Sequence, residues 1–143
     1  MIRDAKECEA LEIATLLSDL HVLSSMRDLR HDLNKSSAAI YGLIKSGQFV
    51  KVIDEGKIVG VFIGIVIESW FGPDKMASDL AWYVHPDHRG IQSVKLLKSF
   101  IKWAKDSGAK QVRPGVSTAS KSAREIYQRL GFQDGGTAFY KTL

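Results

Sequence analysis

Apolar and polar positions alternate along the chain with two distinct periods. The segment Ile58 to Ile67 is apolar almost without interruption and rich in β-branched residues. That is the pattern of a strand covered on both faces. With Phe49 to Ile53 and the intervening D-E-G-K turn it predicts a hairpin. Met76 to Val84 is a further strand, Gln111 to Ser117 another, and Thr137 to Lys141 the last. Pro114 inside the Gln111 strand argues for an edge or a splayed neighbour, because proline donates no ladder hydrogen bond. Ile2-Arg3-Asp4 fits a short first strand.

Helical spacing appears in four places. Lys6 to Leu20 places Leu11, Ala14, Leu17 and Leu20 on one apolar face. Leu33 to Ile44 is a second helix, ended by Ser46-Gly47. Gln92 to Lys105 buries Val94, Leu97, Ile101 and Ala104, and Ser107-Gly108 stops it. Ser120 to Leu130 carries Ala123, Ile126, Tyr127 and Leu130 on one face, with Gly131 at the left-handed C-terminal position. Ser24 to Asp32 is polar and irregular. The predicted order is β-α-α-β-β-β-α-β-α-β, a mixed α/β domain over residues 1–143, with no internal repeat or linker.

At 143 residues the chain is long enough for one core. It is 45% hydrophobic and 25% charged, an ordinary globular composition. A single cysteine, Cys8, precludes an intrachain disulfide and a cysteine-based metal cluster, and fits a reducing cytoplasm. The N-terminal M-I-R-D-A-K-E lacks a signal peptide's apolar region, and Ile58 to Ile67 is too short to span a bilayer as a helix. These readings predict a cytoplasmic protein. The formal charge of +4 suits either a solvated lysine-rich surface or attraction to an anionic ligand such as a nucleotide-containing cofactor. No arginine-rich tract or aromatic-and-basic stretch points to nucleic acid.

The stretch Ser78 to Ala104 concentrates the chemistry. The strand Leu80 to Val84 ends at His85-Pro86, turns through Arg89-Gly90, and enters a helix. Helix N-termini leave N–H groups unpaired at the positive end of the dipole, which suits a phosphate. Ser120 to Phe132, S-K-S-A-R-E-I-Y-Q-R-L-G-F, is the second informative segment. Together they resemble the acetyl-CoA-dependent N-acetyltransferase superfamily, GNAT. Val84, Pro86, Arg89 and Gly90 match the approach to its pyrophosphate-binding motif, Arg/Gln-x-x-Gly-x-Gly/Ala. Ala123, Tyr127, Gly131 and Phe132 match its A-x-x-x-Y-x-x-x-G-F helix, which flanks the pantetheine arm. The family's two small positions fall instead on Gln92 and Val94, and the Leu96-Leu97 pair arrives about one residue early. The departure implies either a different loop path or weaker cofactor binding.

The resemblance implies a central, mostly antiparallel mixed sheet with helices on both faces and strands splayed at the cofactor site. It implies acetyl transfer from acetyl-CoA to an amine acceptor, small molecule or protein, by direct attack and without metal. The expected cofactor contacts are Tyr83, Val84, Arg89, Gly90, Ile91, Gln92, Ser93, Val94, Ser120 and Tyr127. Backbone N–H groups near Tyr83 and Val84 could polarise the thioester carbonyl. Tyr127 is the expected acid, and Asp79 or Glu68 the expected base. Read without the resemblance, Tyr127 is a core tyrosine and the two carboxylates are strand-end surface charges. His85 and His88 read as a polar turn rather than metal ligands. Trp70-Phe71-Gly72-Pro73 suits an acceptor pocket, a homodimer contact, or a loop folded back on the core. The competing function is a non-catalytic CoA-binding or partner-docking module.

Overall fold

The computed structural model describes residues 1–115 and 121–143. Strand β1 (Ile2–Asp4) is followed by a 3₁₀ turn at Glu7–Glu9 and helices α1 (Ala10–Leu23) and α2 (Leu33–Lys45). The hairpin β2 (Phe49–Asp54), β3 (Ile58–Glu68) leads to β4 (Lys75–Val84), a 3₁₀ turn at Pro86–His88 and α3 (Ile91–Asp106). Strand β5 (Ala109–Arg113) and helix α4 (Lys121–Arg129) complete the elements among the described residues. The sheet runs β1-β2-β3-β4-β5 in space, antiparallel except for the parallel β4–β5 pair.

Helices cover both faces, which explains the continuous apolar run of β3. On one face Ile13, Ala14, Ile40, Val52, Val61 and Ile63 form a cluster under α1 and α2. On the other, Phe49, Phe62, Leu96, Leu97, Phe100 and Tyr127 pack beneath α3 and α4. The rings of Phe62 and Phe100 lie 4.5 Å apart at the centre of that second layer. Asp32 caps α2 by accepting from the Lys35 N–H at 3.0 Å.

Several sequence expectations change. Helix α1 buries Ala10, Ile13 and Ala14, with Leu17 packed on the same cluster, while Leu11 is exposed, because steps of three residues drift around a helix of about 3.6 residues per turn. Helix α3 buries Ser93, Leu96, Leu97, Phe100 and Ala104; Val94 and Ile101 are only partly buried, flanking the face that Phe100 anchors. Strand β5 starts two residues earlier than expected and ends before Pro114. The expected Thr137–Lys141 strand is absent; Phe139 and Tyr140 are exposed there. Its residue types favour a strand, but a strand exists only where a neighbouring edge completes its hydrogen bonds. The end of α4 follows expectation. Gly131 has φ +83°, its N–H donates to Gln128 O at 3.1 Å, and Phe132 N–H donates to Tyr127 O at 3.0 Å. This double closure brings the Tyr127 and Phe132 rings to 5.3 Å and orients Tyr127.

Candidate functional site

The parallel pairing of β4 with β5 ends at Ser78 opposite Arg113. Beyond it, the outer edge of β4 has no strand partner among the described residues. Pro114 explains part of this, since it cannot donate to a ladder. The β4 backbone also changes phase at this point. Ile63 faces Ala81 and Gly64 faces Asp79, so Leu80 is an extra residue, a β-bulge. Ala81 therefore packs towards the α1–α2 cluster, while Asp79 turns to the α4 side. Opposite Asp79, Gly64 lies so close to Phe100 that a Cβ there would overlap the ring, with Cδ2 at 2.8 Å.

Asp79 and Tyr127 meet at the split between the strands. Asp79 Oδ1 accepts the Gly115 N–H at 2.8 Å. The Tyr127 hydroxyl donates to the carbonyl of the same Gly115 at 3.4 Å. Burial raises the Asp79 carboxyl above the usual carboxylate range, opposed by the Gly115 hydrogen bond. Burial also raises the Tyr127 phenol well above its ordinary value, and the Asp79 charge raises it further. A carboxylate that holds a proton more tightly than usual thus sits beside a phenol that does not ionise near neutrality. The Tyr127 ring packs 5.7 Å from that of Trp82 on β4.

The open edge of β4 presents main-chain donors. His85 N–H donates to Val59 O at 2.8 Å, on the β3 side. Strand alternation then turns the N–H groups of Val84 and Trp82 to the open side. Arg89 Nε donates to Val84 O at 2.8 Å, and its guanidinium lies 5.8 Å over the Tyr83 ring. Arg89 thus braces the end of β4. The Tyr83 hydroxyl points to α1, donating to Asp19 Oδ2 at 3.5 Å; burial, then the Asp19 charge, raises it.

At the start of α3, Gly90 has φ +145°, a conformation side-chain-bearing residues rarely adopt, and no atom lies within 4 Å of where its Cβ would be. The N–H groups of Ile91 and Gln92 have no partner among the described residues. Those of Ser93 and Val94 are engaged with Gly90 O at 3.0 and 3.4 Å, and Gly90 N–H donates to Ser93 Oγ at 3.4 Å. The cradle is thus narrower than the sequence predicted. Gln92 does not reach into it with its side chain. Its Nε2 donates to Glu55 Oε1 at 2.5 Å, and the Met1 ammonium donates to Gln92 Oε1 at 3.4 Å.

Of the expected site residues, Asp79 and Tyr127 come together. Glu68 does not join them: it is exposed at the end of β3, paired in register with Lys75. Ser120 lies outside the described residues. His85 Nδ1 accepts the Asp87 N–H at 3.3 Å, as a turn residue does. The Trp70 and Phe71 rings lie 4.2 Å apart, tilted by 36°, and are exposed. Sequence reasoning missed Gly115, which no local signal marks as the partner of residues so distant in the chain. It also missed Trp82. Among the described residues no group of three metal-ligating side chains occurs, and no helix is long and apolar enough to cross a membrane.

Known proteins share this architecture. An aminoglycoside acetyltransferase from an uncultured soil metagenomic sample, solved with sisomicin, superposes with TM-score 0.74 at 18% identity over 100% of this chain and 95% of that one. A ribosomal-protein-alanine N-acetyltransferase from Brucella melitensis biovar Abortus 2308 gives 0.71 at 16% identity, over 100% and 99%. The BH1408 tetramutant from Bacillus halodurans gives 0.78 at 18% identity, over 100% and 99%. At these identities the likeness is one of fold. No curated protein matches the sequence. The sequence profile of the acetyltransferase (GNAT) family matches residues 13–132. That span takes in the bulged β4, the start of α3 and the Tyr127 helix, and the chain belongs to the acetyltransferase (GNAT) family.

Proposed function

We propose that the chain is a one-domain enzyme that transfers an acetyl group from acetyl-CoA to a primary amine, by direct attack within a ternary complex. The observation that carries this reading is the meeting of Asp79 and Tyr127 on Gly115, beside an unpaired strand edge. The residues present fit the cofactor. The free N–H groups of Ile91 and Gln92, at the positive end of α3, suit a diphosphate. The bare space over Gly90 permits close approach. The outward N–H groups of Val84 and Trp82 suit the amide-bearing arm.

Acetyl-CoA supplies the activated acyl group and a thiolate leaving group. Asp79, its carboxyl raised by burial, accepts the proton that the acceptor amine must shed. Tyr127 retains its proton throughout the working range and delivers it towards the departing sulfur. Main-chain N–H groups on the open edge of β4 stabilise charge developing on the acyl oxygen. Cys8, exposed on the turn before α1, has no part in this scheme, and no covalent acyl-enzyme is required. The acceptor is left open: the aminoglycoside and ribosomal-protein enzymes share the fold, and fold alone does not select a substrate.

A second reading, a non-catalytic CoA-binding or docking module, draws on Glu55. Its carboxylate stands beside Gln92 at the start of α3, where a diphosphate would be repelled. Two measurements separate the readings. Acetyl-CoA at one hundred times its dissociation constant should stabilise the protein by about 2.7 kcal/mol. Thiol release over a panel of small-molecule and peptide amines should then reveal turnover. Stabilisation without turnover on any amine would favour the docking module.

A further inference from the structure

Trp82 carries a polar atom that the fold leaves unsatisfied. Its indole Nε1 is buried and has no hydrogen-bond partner; among the described residues it is the one side-chain nitrogen or oxygen in that condition. A buried donor without an acceptor costs about 1–3 kcal/mol. A phenylalanine or leucine would fill the position without that cost. Buried tryptophans normally find a partner for this N–H. Among the described residues nothing accepts from Trp82 Nε1, which leaves that donor available to a bound ligand.

Its position indicates which acceptor. Trp82 pairs in register with Phe62 on β3, and the rings are 5.9 Å apart. Its other neighbour is Tyr127, 5.7 Å away. Trp82 stands on the stretch of β4 that loses β5 as a partner, on the α4 side of the sheet. Asp79, the carboxylate that meets Tyr127 at Gly115, is committed through Oδ1 to Gly115 N–H and makes no bond to the indole. An indole N–H donates only, so a ligand atom that meets it must be an acceptor. With the Tyr127 hydroxyl serving the sulfur of a thioester, the acceptor two bonds from that sulfur is the acyl carbonyl oxygen.

We propose that Trp82 Nε1–H donates a hydrogen bond to the acetyl carbonyl oxygen of the bound thioester, fixing the acyl group beside Tyr127. This rests on the reading of the chain as an acetyl-CoA-dependent enzyme. Trp82 is then a binding residue that distinguishes acetyl-CoA from free CoA, because only the former carries the acceptor.

The test compares binding of acetyl-CoA and CoA to the wild-type chain and to Trp82→Phe by titration calorimetry. Trp82→Phe should lose about five- to tenfold in acetyl-CoA affinity, the equivalent of one neutral hydrogen bond, with CoA affinity unchanged. In parallel, the ¹⁵N-indole spectrum of the wild-type chain is recorded with each ligand. The Trp82 resonance is assigned by elimination using Trp70→Phe and Trp103→Phe. It should move downfield with acetyl-CoA and stay in place with CoA. This spectrum decides the matter even if Trp82→Phe does not fold. Equal losses for both ligands, with equal shifts of the resonance, would overturn the assignment to the acyl oxygen and point to an amide of the shared arm. Unchanged affinities and an unmoved resonance would overturn the donor role itself. A wild-type chain that binds neither ligand would refute the acetyl-CoA reading and this inference together.

Discussion

Tyr127→Phe separates chemistry from architecture in this site. The substitution keeps a ring that is 7% exposed, packed against Trp82 and Phe132, and removes one hydroxyl. The lost hydrogen bond, to Gly115 O at 3.4 Å, is long. Its removal should cost at most about 1 kcal/mol. For a chain of this size that lowers Tm by about 2–4 °C. Turnover is expected to respond differently. If the phenol protonates the leaving sulfur, kcat falls by about ten- to a thousandfold, which is about 1.4–4 kcal/mol in the barrier. Acetyl-CoA affinity should stay near wild type. The assay is thiol release under saturating acetyl-CoA with an amine the wild type uses, alongside calorimetric binding and a melting curve. Wild-type turnover with a lowered Tm would refute the reasoning and make Tyr127 a packing residue. Lost cofactor binding with full turnover at saturation would make its hydroxyl a ligand instead. Burial and the Asp79 charge both raise the phenol, so deprotonation of Tyr127 should not limit kcat across the neutral and mildly alkaline range.

Asp79→Asn tests the base. Burial raises the folded-state carboxyl, so the folded chain binds a proton that the unfolded chain has released. Stability should fall as pH rises from about 3.9, the unfolded value, through the raised folded value. The asparagine variant should lack that descent in Tm against pH while its turnover drops about 10²- to 10⁴-fold; an unchanged descent would assign it to another group. Gln92→Gly should leave acetyl-CoA affinity unchanged or tighter, because the side chain is held by Glu55 and Met1 rather than by the cradle; a loss beyond about tenfold, or 1.4 kcal/mol, by calorimetry would make the Gln92 amide a ligand. Gly64→Ala should destabilise by about 1–3 kcal/mol in urea unfolding, since its Cβ overlaps the Phe100 ring; an unchanged midpoint would mean that the ring moves aside freely.

The elements of this fold were legible wherever a local pattern has a single physical solution. The unbroken apolar run of β3 demands cover on both faces, and it has it. The glycine after α4 needs a positive φ, and it takes one at +83°. The first turn of a helix leaves N–H groups without intrahelical partners, and those of Ile91 and Gln92 have none among the described residues. Family membership followed from the same residues, because the motif is written in the turn and in the Tyr127 helix. Tertiary structure decided the rest. Asp79, Gly115 and Tyr127 are separated by 36 and 12 residues, and only the path of the chain where the β4–β5 pairing ends brings them onto one residue. The bulge at Leu80 sets which face Asp79 occupies, and alternation in the sequence gives no sign of an extra residue. The Gln92 side chain bonds Glu55, a partner 37 residues away that spacing does not show. Thr137–Lys141 has the residues of a strand yet pairs with no edge of the sheet, a matter of where the chain runs after α4 rather than of its residue types. The different surroundings of Asp79 and Glu68 follow the same rule. Both are carboxylates on strands, and burial beside Tyr127 is a property of where the β4–β5 pairing ends rather than of either residue's neighbours in the chain.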